Sequence, residues 1–149
     1  MEQLIAMLKK WQANSVVFYS TAHGFHWNVE GPLFTQYHSF FKEIYEDVDD
    51  TIDTIGEWLR KFDVVAPYTL TDFVSLNNMP SMVTDSNSPA TMSRMLLDAN
   101  EKLLIDIRNM LTMANEQNEQ GLLNFLADRQ ERHEFYGWWL RASLKAVMN

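Results

Sequence analysis

Apolar residues recur along most of the chain at alternating steps of four and three residues, a spacing typical of amphipathic helices. The first such stretch predicts a helix from Met1 to about Asn28. Gly31 and Pro32 then predict a break, because glycine supplies a flexible turn and proline cannot continue a helix. A second stretch from Phe34 to Phe62 predicts a long helix of roughly 28 residues, or about 42 Å.

The pattern changes after this second helix. Residues 63–90 lose the long period and predict a connector, in which a short helix opens at Thr71-Asp72. Ser88 and Pro89 predict the start of a third long helix, because proline is favoured at the first helical position. The apolar stripe of this third helix continues to Ala114.

Gly121 predicts the next break, and a fourth long helix is predicted from about Leu122 to Val147. Its middle, Asp128 to Glu134, is entirely polar. We therefore expect that this helix does not bury a continuous stripe within one chain. Part of it should face a cavity or a neighbouring subunit.

Four long helices joined by a short turn, a long connector and another short turn predict an all-α four-helix bundle. The long second connection lets helices two and three lie parallel, which is the ferritin-like arrangement. A length of 149 residues matches one domain, so a single ferritin-like domain is expected over residues 1–149.

Composition narrows the class of partner. Asp and Glu number 20 against 12 Lys and Arg, which gives a formal net charge of -8 and favours cations over nucleic acid. The absence of cysteine excludes disulfides and thiolate metal sites. Neither a secretory leader nor a run of about 18 apolar residues is present, so we expect a cytoplasmic protein without a membrane partner.

Side chains that can bind metals concentrate in two patches. The first is His23, His26 and His38, and the second is Asp49, Asp53 and Glu57. The turn after the first helix can bring His26 and His38 together, and Asp53 and Glu57 share one helical face that could hold a cation. Hydrogen-bonded histidines and a solvated acidic face are the alternative interpretation of the same spacing.

The two patches cannot meet within one chain if the second helix is continuous. His38 and Asp53 would then lie about 22 Å apart, far beyond a metal–ligand distance of about 2 Å. Two antiparallel copies of this helix across a twofold axis would place the histidine end of each against the acidic end of the other. No Glu lies three residues before a His, which excludes the Glu-x-x-His pairs of intrachain di-iron sites. The sequence therefore predicts an intersubunit metal site.

Two stretches of the chain resemble the Dps family, the miniferritins named as DNA-binding proteins from starved cells. The stretches are His26-Trp27-Asn28-Val29-x-Gly31-Pro32-x-Phe34-x-x-x-His38 and Asp49-x-x-x-Asp53-x-x-x-Glu57. Further likeness in the connector at residues 69–73 and in the last helix at residues 134–144 extends the resemblance over the whole chain.

The resemblance implies a homo-oligomer, a hollow dodecamer with ferroxidase centres at its dimer interfaces. The implied iron ligands and catalytic residues are His26 and His38 of one subunit with Asp53 and Glu57 of another. Such an enzyme oxidises Fe(II), preferably with hydrogen peroxide, and stores ferric iron, which protects against oxidative stress. Iron is the expected metal, and other divalent ions such as zinc also suit these ligands.

The chain departs from the family pattern at Lys42, where a member usually has an Asp one turn after the second histidine. A cation there would repel iron, so the alternative function is a Dps-like cage with weakened or lost ferroxidase activity, serving as a metal-binding or structural shell. Lys42 could instead pair with Glu46, four residues on. DNA binding is not expected, because the net charge is -8 and no Lys-rich tail precedes the first helix.

Overall fold

The computed structural model describes residues 1–145, which form five α-helices. These are α1 (Glu2–Asn28), α2 (Phe34–Lys61), α3 (Leu70–Leu76), α4 (Pro89–Glu116) and α5 (Gln120–Ser143). The four long helices pack around one apolar core, and α3 lies in the connection between α2 and α4. The predicted all-α four-helix bundle with a short connector helix is confirmed.

A hydrogen bond between two turns shows the relative directions of the helices. α1 and α2 are antiparallel across the turn at residues 29–33, where Gly31 has a φ of +126°, in the range that favours glycine. In this turn the N–H of Glu30 donates to the carbonyl oxygen of Asn87 at 3.0 Å. α4 therefore begins beside the start of α2. Further along both helices, Asp47 of α2 and Asn100 of α4 bind neighbouring residues of α5, so α4 runs parallel to α2, as the long connection predicts.

The starts of α3 and α4 were both predicted from residues that favour the beginning of a helix. α4 begins at Pro89 with Ser88 at the N-cap position, as predicted. α3 begins earlier than predicted, because Thr69 is its N-cap and Thr69 Oγ1 accepts a hydrogen bond from the N–H of Asp72 at 3.0 Å. Thr69 has the extended backbone of an N-cap, whereas Thr71 already lies inside the helix.

The break before α5 lies at Asn118, not at the predicted Gly121. Asn118 has a left-handed backbone with a φ of +59°, which asparagine tolerates better than most residues. Gly121 lies inside α5, where an added Cβ would come within 3.0 Å of the Trp58 ring. This glycine therefore permits close packing of α5 on α2. α5 ends at Ser143, and the predicted helix end at Val147 lies outside the described residues.

The core extends along the whole bundle. Its largest buried side chains include Trp11, Phe18, Phe41, Ile55, Met92, Leu103 and Tyr136, which come from all four long helices. Asn14 of α1 fastens the connector to the bundle, since its amide group donates to and accepts from Asn78, each bond being 2.9 Å long. Among the helices of the described range, none has the length and apolar character needed to cross a membrane.

Candidate metal centre

His26 and His38 are held together by two reciprocal hydrogen bonds. Nδ1 of His26 donates to the carbonyl oxygen of His38 at 2.6 Å, and Nδ1 of His38 donates to the carbonyl oxygen of His26 at 2.7 Å. The two rings stack with their centroids 3.7 Å apart and their planes 17° apart. The predicted proximity of the two imidazoles is confirmed, and the tight turn between α1 and α2 is its cause.

These hydrogen bonds also determine which ring nitrogen carries the proton. A carbonyl oxygen can only accept, so Nδ1 of each histidine must be the protonated nitrogen. The lone pair of each Nε2 is then available to bind a metal ion. A hydrogen bond from the second ring nitrogen to a carbonyl is the usual way in which a protein orients a histidine ligand. His26 and His38 therefore present two oriented Nε2 lone pairs.

His23, the third member of the histidine patch, has different surroundings. Its ring lies 4.1 Å from the Tyr45 ring and 4.1 Å from the Trp27 ring, measured between centroids. The His26 ring centroid is 6.2 Å away. His23 thus packs within an aromatic cluster beside the two oriented histidines and does not share their reciprocal hydrogen bonds.

Asp53 and Glu57 lie at the other end of α2, on its exposed face. They line an open groove of about 650 Å³ whose wall also includes Gln12 and Tyr68. The side-chain oxygen Oε1 of Gln12 is buried there without a hydrogen-bond partner. The groove therefore combines a largely apolar lining with carboxylate oxygens, and Tyr68 at its edge is largely exposed.

The histidine pair and the acidic pair lie at opposite ends of α2. α2 is continuous from Phe34 to Lys61, which keeps His38 and Asp53 about 22 Å apart at the α-helical rise. Within residues 1–145, no three His, Asp or Glu side chains come close enough together to hold a metal ion. The histidine pair and the acidic pair are thus separate within the described part of one chain, as the spacing predicts.

A polar network lies inside the bundle and shows that one expectation about the fourth helix was wrong. Arg129 and His133, from its polar middle, are buried between Leu126 and Leu140 and complete a continuous buried stripe. The Arg129 guanidinium forms two hydrogen bonds with the Asp47 carboxylate of α2, at 2.9 and 2.8 Å. Sequence reasoning missed this pair because its partners lie 82 residues apart.

The same network fixes the buried imidazole. Nδ1 of His133 donates to the side-chain oxygen of Asn100 at 2.8 Å, and Nε2 accepts from Arg129 at 3.2 Å. The Tyr136 hydroxyl donates to Asp47 at 2.5 Å. Asp47 and His133 are both metal-capable, but the guanidinium of Arg129 binds each of them. Inside the bundle, the Arg129 guanidinium therefore lies between the Asp47 carboxylate and the His133 imidazole, and it forms an ion pair with Asp47.

The pKa values in the network follow from burial and from Arg129. Burial lowers the pKa of His133 from its ordinary 6.5 to about 3, and the Arg129 cation acts in the same direction. Burial would raise the pKa of Asp47, but the bonds and charge of Arg129 and the bond from Tyr136 together lower it. Burial and the bond to Asp47 raise the pKa of Tyr136 well above its ordinary value. His133 is therefore neutral and Asp47 is charged at neutral pH.

We expect the free energy of unfolding to fall as the pH drops from about 6.5 towards 3, by up to about 1.4 kcal/mol per pH unit from His133 alone. The unfolded imidazole binds a proton below its ordinary pKa of 6.5, whereas the folded one binds it only near 3. Denaturant unfolding at a series of pH values measures this slope. His133→Gln should flatten it between pH 6 and 4, while the control His23→Gln should not. Equal slopes in all three proteins would contradict the assignment.

Lys42 lies on the exposed face of α2, one turn after His38. Its Nζ is 3.7 Å from Oε1 of Glu46, so the anticipated pairing is present. The two side chains are 53% and 59% exposed, and such exposed ion pairs contribute little stability. The Lys42 ammonium group can therefore leave Glu46 and bind another acidic partner with little loss of stability.

The chain is similar to known proteins in both sequence and structure. A family model described as the ferritin-like domain matches residues 5–147. A DNA protection during starvation protein from Brevibacillus brevis is 30% identical over 146 residues, which cover 97% of both chains. The crystal structure of a Dps protein from Vibrio cholerae O1 has a TM-score of 0.91 at 28% identity, over 97% of this chain and 90% of that one. A Dps protein from Bacillus brevis has a TM-score of 0.89 at 28% identity, over 96% of both.

The bundle with its crossover and the matched domain place this chain in the ferritin-like class. Within that class, the chain belongs to the Dps family. The Vibrio cholerae protein is described as a member of a broad superfamily of ferritin-like diiron-carboxylate proteins.

Proposed function

We propose that this protein is a miniferritin that oxidises Fe(II) at intersubunit ferroxidase sites and stores ferric iron in a hollow dodecamer. Each site would combine His26 and His38 of one subunit with the partner subunit's Asp53 and the partner subunit's Glu57. The observation that carries this proposal is the reciprocal hydrogen bonding of the two histidines, which leaves both Nε2 lone pairs available. Membership of the Dps family supports it.

The proposed ligand set suits iron as a substrate. Carboxylate oxygens bind Fe(II) and stabilise Fe(III) still more, while neutral imidazoles limit the negative charge of the site. Hydrogen peroxide accepts two electrons, one from each of two Fe(II) ions, and takes up two protons to give two water molecules. The reaction would thus consume both reactants that otherwise generate hydroxyl radicals. Zinc suits the same donors and would compete with Fe(II) for them.

Exposed apolar side chains beside both half-sites support a twofold dimer. Trp27, Leu33 and Phe34 are exposed at the histidine end, and Tyr68, Leu70 and Val74 are exposed near the acidic end. Large exposed apolar patches commonly mark interaction surfaces. Antiparallel pairing of two α2 helices would bring the first group of one subunit against the second group of the other, and would cover both.

We expect Tyr68→Glu to dissociate the assembly into smaller species, because it places a charge against the apolar surface of a partner. Tyr68 is 79% exposed in the single chain, so the substitution should leave the fold of the subunit intact. Sedimentation velocity measures the mass, and circular dichroism checks the helical content. Val83→Glu is the matched control, since Val83 is 86% exposed and does not line the groove at Asp53 and Glu57. An unchanged mass for Tyr68→Glu would contradict this interface.

The function itself is tested by loading the purified protein with Fe(II) under anaerobic conditions and then adding hydrogen peroxide. We expect oxidation well above the rate in buffer, and ferric iron that comigrates with a particle of dodecameric mass. His38→Ala should lose most of this rate, because it removes one of two imidazole ligands. A native rate no higher than in buffer would overturn the proposal.

Lys42 favours a second candidate function, a cage whose ferroxidase activity is weakened or lost. Its ammonium group lies on the same exposed face as His38 and adds a positive charge beside the proposed iron site. In that case the assembly serves as a metal-binding or structural shell, and Lys42→Asp should raise the rate of iron oxidation. Duplex DNA is not among the proposed partners, since the charge of -8 per chain opposes binding to phosphates. A cytoplasmic location stays a prediction.

A further inference from the structure

Positive and negative side chains are segregated along the exposed face of α2. At steps of three or four residues, the face presents His38, Lys42, Glu46, Asp49, Asp53 and Glu57. The cation Lys42 lies in the histidine half, and three carboxylates make up the end of the other half. Two such faces are complementary in charge when they meet antiparallel, because the basic part of one then lies against the acidic part of the other.

The proposed dimer fixes the register of these two faces. If His38 lies opposite the midpoint of the partner's Asp53 and the partner's Glu57, this register also determines what lies opposite Lys42, four residues further along α2. Antiparallel helices advance equally, so Lys42 must lie opposite the midpoint of the partner's Asp49 and the partner's Asp53. Lys42 lies four residues along α2 from His38, or about 6 Å at the α-helical rise, and is therefore close to the proposed metal ligands.

We propose that Lys42 forms an ion pair with the partner's Asp49 and the partner's Asp53, and that its ammonium group takes the place of a second metal ion. Each intersubunit site then holds one resident divalent ion, so the second Fe(II) ion that the reduction of hydrogen peroxide requires would bind only transiently. This inference rests on the proposed function and specifies the metal stoichiometry of the same site. It separates this chain from the di-iron composition in the description of the Vibrio cholerae relative.

The surroundings of Lys42 support this role. In the single chain it contacts Glu46 at 3.7 Å, and both side chains are more than half exposed, so the ammonium can turn to a partner without breaking a buried contact. In the same register Glu46 lies near the twofold axis, where two copies of this carboxylate would repel each other. The adjacent Asp47 carboxylate does not add to this repulsion, because it is paired with Arg129 inside the bundle. Lys42 of each subunit supplies the compensating charge.

Anaerobic titration with Co(II) tests the stoichiometry, because Co(II) takes similar ligands to Fe(II) and reports binding by its visible absorption. The assembled native protein should bind about one Co(II) ion per chain, and Lys42→Asp about two, since the added carboxylate replaces a cation with a ligand. Lys42→Met is the matched control that removes the charge without adding a ligand, and it should still bind about one ion. His38→Ala defines binding elsewhere on the surface, which is subtracted.

Any other number of bound Co(II) ions per chain overturns the inference. Two ions or none in the native protein would do so, and so would an unchanged count in Lys42→Asp. If the native protein binds two Co(II) ions and oxidises Fe(II), only the inference about Lys42 fails. If none of these proteins binds Co(II) above the His38→Ala level and iron oxidation does not exceed the rate in buffer, the proposed function itself fails.

The ion pair is tested separately by combining Lys42→Met with Asp49→Asn. Each single substitution should shift the protein concentration at which the assembly half-dissociates. Once one partner has been replaced, replacing the other should have little additional effect, because the interaction is already lost. Independent, additive shifts would overturn the proposed contact between Lys42 and the partner's Asp49.

Discussion

A mixture of His38→Ala and Glu57→Gln chains, each inactive alone, is expected to recover about one quarter of the native rate of Fe(II) oxidation when the chains are unfolded and reassembled together. In a mixed dimer, one site carries both substitutions and the other carries neither. Random pairing makes about half of the dimers mixed, and each mixed dimer has one intact site of two. The rate of iron oxidation after addition of peroxide measures the recovery.

A second mixture provides the control for this experiment. His26→Ala and His38→Ala alter the same half-site, so every site assembled from their mixture lacks one histidine. We expect no recovery there, although the chains unfold and reassemble under the same conditions. Sedimentation must show that all mixtures reach the native mass. Failure of the His38→Ala and Glu57→Gln mixture to exceed this control would contradict a site shared between subunits.

Arg129→Met is expected to lower the free energy of unfolding by about 3–5 kcal/mol, the usual cost of removing one partner from a buried ion pair. The Arg129 side chain is 5% exposed and Asp47 is 28% exposed, so the substitution leaves a largely buried carboxylate without its cation. It also removes a donor to His133. Denaturant unfolding at a fixed protein concentration, followed by circular dichroism, measures the change.

Arg108→Met is the matched control for this prediction. Arg108 of α4 also pairs with an acidic residue of another helix, Glu134 of α5. However, this contact is 4.0 Å long, and both side chains are about half exposed. Exposed pairs contribute about 0–1 kcal/mol, so this variant should unfold close to the native protein. Similar losses in both variants would show that the buried network does not stabilise the bundle as its geometry indicates.

The parts of the fold that depend on local sequence were predictable. The extent of α2 follows from an uninterrupted apolar period, and the start of α4 follows from Ser88 and Pro89. Helix ends that depend on a particular backbone conformation were less so. The break predicted at Gly121 lies instead at Asn118, which takes a left-handed conformation that asparagine tolerates better than most residues.

Long-range polar contacts limited the prediction more strongly. The middle of the fourth helix is polar in sequence, and a polar segment normally faces water. Arg129 and His133 are nevertheless buried, because Asp47 of α2 and Asn100 of α4 satisfy them. Neither partner is near them in the chain, and no pattern along one helix can reveal such a pairing.

The candidate site likewise has features that spacing predicts and features that it cannot predict. Spacing predicts that His26 and His38 lie close together and that Asp53 and Glu57 lie far from them. Spacing cannot predict which ring nitrogen of each histidine is protonated, since this depends on hydrogen bonds across the turn. The ligand assignments remain predictions that the mixed assemblies can test.

The acceptors of the two histidine hydrogen bonds have a consequence for how this half-site can vary. Both acceptors are main-chain carbonyl oxygens, which every amino acid provides. Replacement of either histidine therefore leaves the orienting contact of the other in place. Inserting or deleting a residue in the turn at residues 29–33 would instead displace both carbonyls at once. The length of this turn, with Gly31 in its left-handed conformation, is consequently a stricter requirement for the histidine pair than the identity of either neighbouring side chain.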